Sequence, residues 1–330
     1  MKSRLIIGVD VSKLSLDFFF KPSGVQLVLS NDMKGFKKWS AILKKQLKNY
    51  DEVMIIMEHT GHYSFRFERF LIANNIPYCK LSALEIKRSL GLIRGKNDKV
   101  DAERIAQYGW LRRDSLQSDN VIGKDLLRLK DLISLRRKLV KDRSGYLSRQ
   151  REMKETGKAS KGDLVIKIQS KLVDELTEQI LLVEREIKRV IQGNEELHNN
   201  YRLLISIKGI GFVIAAFMIA NTHNFKRFAN AKKYNCYAGL APFTQQSGTS
   251  LHGKNKVSHL ANKEAKTLMH RAASTAIQHD QELKTYYQNR VANGKKRNNS
   301  LNVVMAKLVA RMFAVVKRQT PYQPITLIAA

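Results

Sequence analysis

The chain opens with short apolar runs separated by polar turns. RLIIGVDV, LDFFF and VQLVLS have the length and the β-branched or aromatic content of buried strands, and EVMIIME and IPYCKLS follow in the same manner. Between them, GFKKWSAILKKQL and FRFERFLIANN repeat apolar residues at intervals of three and four, the period of a helix with one buried face. DKVDAERIAQYGWLRR predicts one more helix, with Asp98 in or just before its first turn. A run of strands, followed by strands interleaved with helices, predicts an α/β domain over residues 1–119: a mixed sheet with helical cover.

From about Lys124 the period lengthens into amphipathic helix. Leu126, Leu129, Ile133, Val140 and Leu147 form one stripe. ETGKASKGD breaks it, and Val165, Ile168, Leu172, Leu176, Ile180, Val183, Ile187 and Ile191 form a second. Two such helices predict an antiparallel coiled-coil arm over residues 120–194. As a plain helical linker or bundle it needs no partner; as an arm it serves dimerisation or spans nucleic acid. Residues 195–330 predict a mostly α-helical domain. In it, LLISIKGIGFVIAAFMIA places Gly209, Ile210 and Gly211 at a tight turn between apolar helices. That turn has the look of a helix-hairpin-helix, whose backbone N–H groups can meet a phosphate, and a purely structural turn is the competing reading. FKRFANAKKYNCYAGLAPF, a Gly/Ser/Thr loop QQSGTSLHGKNKVS and two more helices complete the chain.

Charge narrows the function. Across 330 residues, 59 Lys and Arg oppose 29 Asp and Glu, a net +30 that excludes an ordinary neutral metabolic enzyme. A hydrophobic content of 43% provides cores, so the chain is no disordered basic tail. The physical reason to tolerate such self-repulsion is a polyanionic partner. No apolar run reaches the roughly 18 residues of a membrane span, and Asp10 interrupts the first one, so a cytoplasmic protein without a membrane partner is expected. Cys79 and Cys236 lack companion Cys or His spacing and read as structural. The surplus is uneven: residues 221–330 carry 18 Lys and Arg against Glu264, Asp280 and Glu282 alone, a net +15. Polyanion contact is expected to concentrate there.

Against this background four acids stand out. Asp10 ends the apolar run LIIGV and Glu58 ends VMIIM, positions from which a carboxylate leaves a rigid strand end. Asp98 and Asp101, three apart, share one face of their helix. Taken singly, each is a solvated surface group or a helix cap. Taken together, they would repel one another unless a cation lay between them. Oxygen ligands without His or Cys favour Mg²⁺ or Mn²⁺, and two such ions about 4 Å apart clamp the attacking and leaving oxygens of a phosphodiester.

GVDVSK, MEHTGHY and NDKVDAERIA resemble the DEDD set of the IS110-type insertion-sequence transposases, which are related to Piv-type DNA invertases. SIKGIG, FKRFANAKKYNCYAGLAPFTQQSGTS and NGKK resemble the family's second domain in order and spacing, so the likeness covers nearly the whole chain. It implies an RNase H-like (RuvC-like) first domain, a coiled-coil arm and a transposase domain that supplies a serine nucleophile, Ser247 by its place in SGTS. It further implies Asp10, Glu58, Asp98 and Asp101 as ligands of two Mg²⁺ ions, donor and target DNA as substrates, a structured bridge RNA as guide, and a homodimer that assembles to a tetramer. Ala261 and Lys266 stand where the family often has Gly and Arg.

In the residues themselves, Ser247 has no adjacent general base, and a turn serine is the ordinary reading of such a position. Lys96, Lys99, Lys208, Gly209, Gly211, Lys232, Lys233, Lys254, Lys256, Lys295, Lys296 and Arg297 are the candidate phosphate contacts, and Tyr234, Tyr237 and Phe243 are candidates for base stacking. Two other functions compete: a metal-dependent nuclease or resolvase that uses water, and a basic scaffold that binds nucleic acid without chemistry.

Overall fold

The computed structural model describes residues 4–59, 61–89, 98–116, 118, 123–160, 162–241, 243–247, 251–256 and 261–324. Contacts divide the chain into two units, residues 1–121 and 122–330. The expected arm and the expected third domain both fall in the second.

Unit one is a five-stranded sheet with helices. In chain order it comprises β1 (Arg4–Val11), β2 (Ser15–Lys21), β3 (Gln26–Ser30), α1 (Met33–Gln46), β4 (Glu52–Glu58), α2 (Phe65–Ala73), β5 (Tyr78–Leu81), α3 (Ala83–Ser89) and α4 (Asp98–Leu111). Sequence reading missed α3 and found the rest. The strand order is β3-β2-β1-β4-β5, antiparallel from β3 to β1 and parallel from β1 to β5. The antiparallel part is a meander of short turns, while the parallel pairs need helical crossovers, which α1 and α2 supply.

Period-two alternation sends the strands' side chains to two cores. Leu5, Ile7, Val9, Phe18, Ile55 and Met57 meet Phe36, Trp39 and Leu43 of α1 and Phe67 and Leu71 of α2. Ile6, Met54, Ile56 and Cys79 meet Ile86 of α3 with Ile105 and Tyr108 of α4. Each fully buried side chain of this size contributes about 1.5–3 kcal/mol. Asp32 starts α1 by accepting from the Gly35 N–H at 2.8 Å, and Lys44 and Lys45 complement its last turn. α3 is tied to α4 through the Tyr108 hydroxyl, which donates to Glu85 at 2.6 Å; burial first, and that bond second, push the phenol up to about 12.

Unit two begins with α5 (Lys124–Glu155) and α6 (Leu164–Gln192). Residue numbers run in opposite directions in their contacts: Arg136 meets Glu184 at 2.6 Å, Arg143 meets Thr177 at 3.3 Å and Gln150 meets Ser170 at 3.3 Å, so the pair is an antiparallel hairpin. Its stripes are only half used. Ile180, Val183, Ile187 and Ile191 are buried with Leu129 and Leu132, whereas Leu147, Val165, Ile168 and Leu172 are 40–51% exposed. The buried part is the part that further helices cover. Two helices alone cannot close over stripes of this length.

Those helices are α7 (Glu195–Ile205), α8 (Phe212–Asn221), α9 (Ala231–Tyr237), α10 (Lys263–His279), α11 (Gln281–Ala292) and α12 (Arg297–Arg318), with a hairpin of β6 (Phe243–Ser247) and β7 (Leu251–Lys256) between α9 and α10. The structure corrects two expectations: the Gly/Ser/Thr loop contains this hairpin, and the last stretch holds three helices rather than two. By length and composition alone, α12 is long and apolar enough to cross a membrane. It carries Lys307 and Arg311, however, and packs Val304, Met305, Leu308, Val309, Met312 and Val315 into the core of the unit.

Candidate active site

The acids of unit one are best followed from Gly8. A side chain there would bring its Cβ within 2.3 Å of the Ala102 carbonyl oxygen and the Ala106 nitrogen, so only glycine lets α4 lie directly on β1. Gly109 serves the same purpose one end further on, where a Cβ would come within 2.8 Å of Ile6 and Ile56. Since Ala102 and Ala106 sit over Gly8 while Gly109 sits over Ile6, α4 runs against the direction of β1. Its first turn, with Asp98 and Asp101, therefore comes level with the carboxyl ends of β1 and β4.

Alternation brings the strand-end acids to the same face. Asp10 follows Gly8 by two positions and Glu58 follows Ile56 by two, so both share the α4 side of the sheet. The parallel register pairs Gly8 with Ile56 and Val9 with Met57, which makes Asp10 and Glu58 neighbours across strands about 4.8 Å apart. On the other side of Asp10, its antiparallel partner is Asp17, which is only 7% exposed. Asp17 is an acid that sequence reading passed over: inside LDFFF it looked like a strand residue, and only the register reveals its partner. The adjacent Phe19 meets Ala102 and Ala106, which confirms the side on which Asp17 lies.

Asp101 is half-buried and accepts from Arg104 at 2.9 Å. The side chains of Asp98 and Lys99 lie outside the described residues, as do Arg94 and Lys96 entirely. The donor set suits a hard divalent ion, being all carboxylate. Among the described residues, no three His, Cys, Asp or Glu side chains close into a group that holds one.

In unit two, Ser247 is the last residue of β6, paired with Leu251 at the open end of the hairpin tip; its side chain and those of Lys254 and Lys256 lie outside the described residues. Lys208 and Gly211 are exposed at the α7–α8 turn, Lys232 and Lys233 in the first turn of α9, and Lys295, Lys296 and Arg297 where α12 begins. Gly209 has a structural duty. At φ +91° its missing Cβ would lie 2.8 Å from the Ala272 carbonyl oxygen, so the turn rests on α10. Gly211, by contrast, opens onto space at the start of α8. Tyr234 is fully buried against Phe228 and Phe313, which makes it a core residue rather than a stacking platform; burial holds its phenol well above the usual range. Tyr237 is half-buried, accepts from Asn262 at 2.7 Å and has the Arg227 guanidinium over its ring at 4.9 Å. Cys79 and Cys236 are free thiols, the first buried and the second half-buried.

Two family profiles match the chain. Residues 7–153 match the DEDD transposase profile of the IS110 type, and residues 201–288 match the transposase profile of the IS116/IS110/IS902 family. The pilin gene-inverting protein of Moraxella bovis is 26% identical over 332 residues, covering 97% of this chain and 98% of that protein. Its counterpart in Moraxella lacunata is equally similar, at 26% over 332 residues. The uncharacterized 43.6 kDa protein of insertion element IS110 from Streptomyces coelicolor is 28% identical over 161 residues, covering 49% of this chain and 38% of that protein. An acid-bearing mixed sheet joined to a basic helical unit, with these relatives, defines a DNA transposase or recombinase. The chain belongs to the IS110 family of transposases.

Proposed function

We propose that the protein cuts and exchanges DNA strands by transesterification, with Ser247 as the nucleophile and divalent ions held by Asp10, Glu58, Asp98 and Asp101. The observation that carries this reading is the close seat of α4 on Gly8, which supports a shared face for Asp10, Glu58 and the first turn of α4. Bound Mg²⁺ or Mn²⁺ would supply Lewis-acid stabilisation of charge on the transferring phosphate. The fold reading that goes with it is an RNase H-like first domain.

In the reaction, the Ser247 Oγ–P bond forms as the bond from phosphorus to one deoxyribose oxygen breaks; the serine proton passes to solvent, and the departing deoxyribose oxygen takes one proton from solvent to leave as a hydroxyl. The phosphoserine–DNA link keeps the bond energy, so that a second DNA hydroxyl can displace the serine without an external energy source. Arg104, which pairs with Asp101 at 2.9 Å, would offer its guanidinium to a phosphate oxygen if that carboxylate served an ion instead. A gene inversion of the kind named for the Moraxella relatives and the transposition of an insertion element are both served by this chemistry.

The partners proposed with it are donor and target DNA, a structured guide RNA, and further copies of the chain in a dimer that builds a tetramer, all in the cytoplasm. The exposed Leu147, Val165, Ile168 and Leu172 on the hairpin support self-association, and the net charge of +30 supports holding several nucleic-acid strands. The chemistry is tested with element-end DNA and Mg²⁺: wild type yields protein–DNA adducts that survive denaturation, and Ser247→Ala yields none. Adducts at the wild-type level in Ser247→Ala would reject the serine, and cleaved ends without any adduct would favour hydrolysis by water. For the guide, sequencing of co-purified nucleic acid is expected to return one defined RNA; random fragments would reject it.

A further inference from the structure

Unit two contains a groove that none of the chemistry above uses. It has a volume of about 720 Å³ and lies between α5, α8 and α10. Its floor is apolar, built from Ile133, Val140, Phe212, Ala216 and Leu268. Its walls run along two helices and carry four cations and two hydroxyls: Arg137, Lys141 and Ser144 on α5, and Lys263, Thr267 and Arg271 on α10. On α10 these three repeat every four residues, so about 6 Å of helix rise separates each from the next and all face one way.

The balance of charge identifies the occupant. Glu264 is the lone acid among the lining residues, and Arg137 already holds it at 2.5 Å. Arg136, also on the rim, is held by Glu184. Lys141, Lys263 and Arg271 are exposed and face a groove with no further acid in its lining. A smaller cavity of about 210 Å³ shares Ile133, Arg137, Phe217 and Glu264 and extends the path to Lys130 and Arg227. Cationic walls over an apolar floor suit a chain with phosphates along its edges and flat apolar groups between them. A DNA duplex offers its phosphates outside and keeps its bases stacked within, so it leaves the floor bare; a single strand satisfies both surfaces.

We propose that this groove holds a single strand of DNA, with phosphates on the Lys141 and Lys263–Arg271 walls and bases on the Phe212–Leu268 floor. The proposal rests on the reading of the protein as one that opens and exchanges DNA strands, for such an enzyme must hold strands while they are unpaired. It does not depend on Ser247 or on metal.

The test is therefore a binding measurement in EDTA on full-length Ser247→Ala protein, using fluorescence anisotropy with a labelled single-stranded oligonucleotide and with its duplex. Lys141→Ala/Arg271→Ala is expected to weaken single-strand binding roughly tenfold and to lower the salt slope by about 1.4, the release from two single-strand phosphates. Duplex affinity should change less than twofold. Lys44→Ala/Lys45→Ala, which removes the same charge from α1, should change single-strand binding less than twofold. An unchanged single-strand affinity in the groove variant overturns the proposal, as does an equal loss with Lys44→Ala/Lys45→Ala, which would mark a bulk charge effect. Tighter, groove-dependent binding of the same sequence as RNA would replace DNA as the occupant. Failure of the chemistry would show instead in the adduct assay, which this measurement does not touch.

Discussion

Both units hold their helices on apolar cores, but the close contacts added to each differ. On the sheet of unit one, α4 is seated by contact alone: Gly8 and Gly109 remove the side chains that would hold it away, and Ala102 and Ala106 fill the space. In unit two, arginine ion pairs reinforce the apolar core. Arg137 of α5 takes Glu264 at 2.5 Å, and Arg311 of α12 reaches both Asp280 at 2.7 Å and Glu282 at 2.6 Å while lying over the Tyr322 ring. Glu264, Asp280 and Glu282 are all the acids that follow residue 220, and each is bound by an arginine. Residues 221–330 thus hold their three acids in ion pairs with arginines and leave a surplus of cations, whereas unit one gathers Asp10, Asp17 and Glu58 on one face of its sheet.

Breaking an ionic tie should have the largest effect. Arg311 is 11% exposed and Asp280 7%, so Arg311→Ala leaves a nearly buried carboxylate, which also caps α11, without its cation. A loss of about 3–5 kcal/mol is expected in denaturant unfolding; a loss under about 1 kcal/mol would place this pair with ordinary surface bridges. Gly8→Ala comes next. Its methyl group would meet backbone rather than a pliable side chain, and a cost of about 1–3 kcal/mol is expected. Recombination should fall further than stability does, because α4 carries Asp98 and Asp101. Gly145→Ala in α5 is the contrast: its Cβ meets open space, and up to about 1 kcal/mol of added stability is expected.

The smallest effect sharpens the comparison through pH. Burial first, then the charges of Lys130 and Arg227, push His223 down to about 4. Its Nε2 lies 2.7 Å from the Lys130 ammonium. In the unfolded chain the imidazole titrates near 6.5, so the unfolded state binds the proton more readily. The stability due to neutral His223 is thus complete above about pH 6.5, erodes as pH falls toward 4, and is gone below. His223→Asn, which tolerates the positive φ of this position, should flatten the urea midpoint between those limits. An unchanged slope would assign the acid lability elsewhere.

Much of this was legible in the pattern of side chains, and the exceptions have physical reasons. The inner strands β1, β2 and β4 are buried on both faces and read as continuous apolar runs, while the edge strand β3 buries only Leu29. The hairpin of β6 and β7 has no such signature: FTQQS and LHGKNK are polar and interrupted by Gly253, and backbone pairing alone defines them. α11 buries only Leu283 and is separated from α10 by the single residue Asp280, so its boundary vanished into one long helical stretch. The stripe from Val165 to Ile191 was continuous in sequence, yet how far along it the other helices reach is a tertiary fact. For the site, the strand-end acids and the i, i+3 pair were visible. That Gly8 seats α4, and that Asp17 lies opposite Asp10, required register.

The central claim is that the acids of unit one and the serine of unit two serve one reaction. The direct measurement digests the protein after reaction with element-end DNA and Mg²⁺, then identifies the DNA-linked peptide by mass spectrometry in wild type and in Asp10→Asn. Wild type should yield a DNA-linked peptide that contains Ser247, and Asp10→Asn, with DNA binding retained, should lower its yield at least about 100-fold. The same Ser247 peptide at full yield in Asp10→Asn would contradict the account.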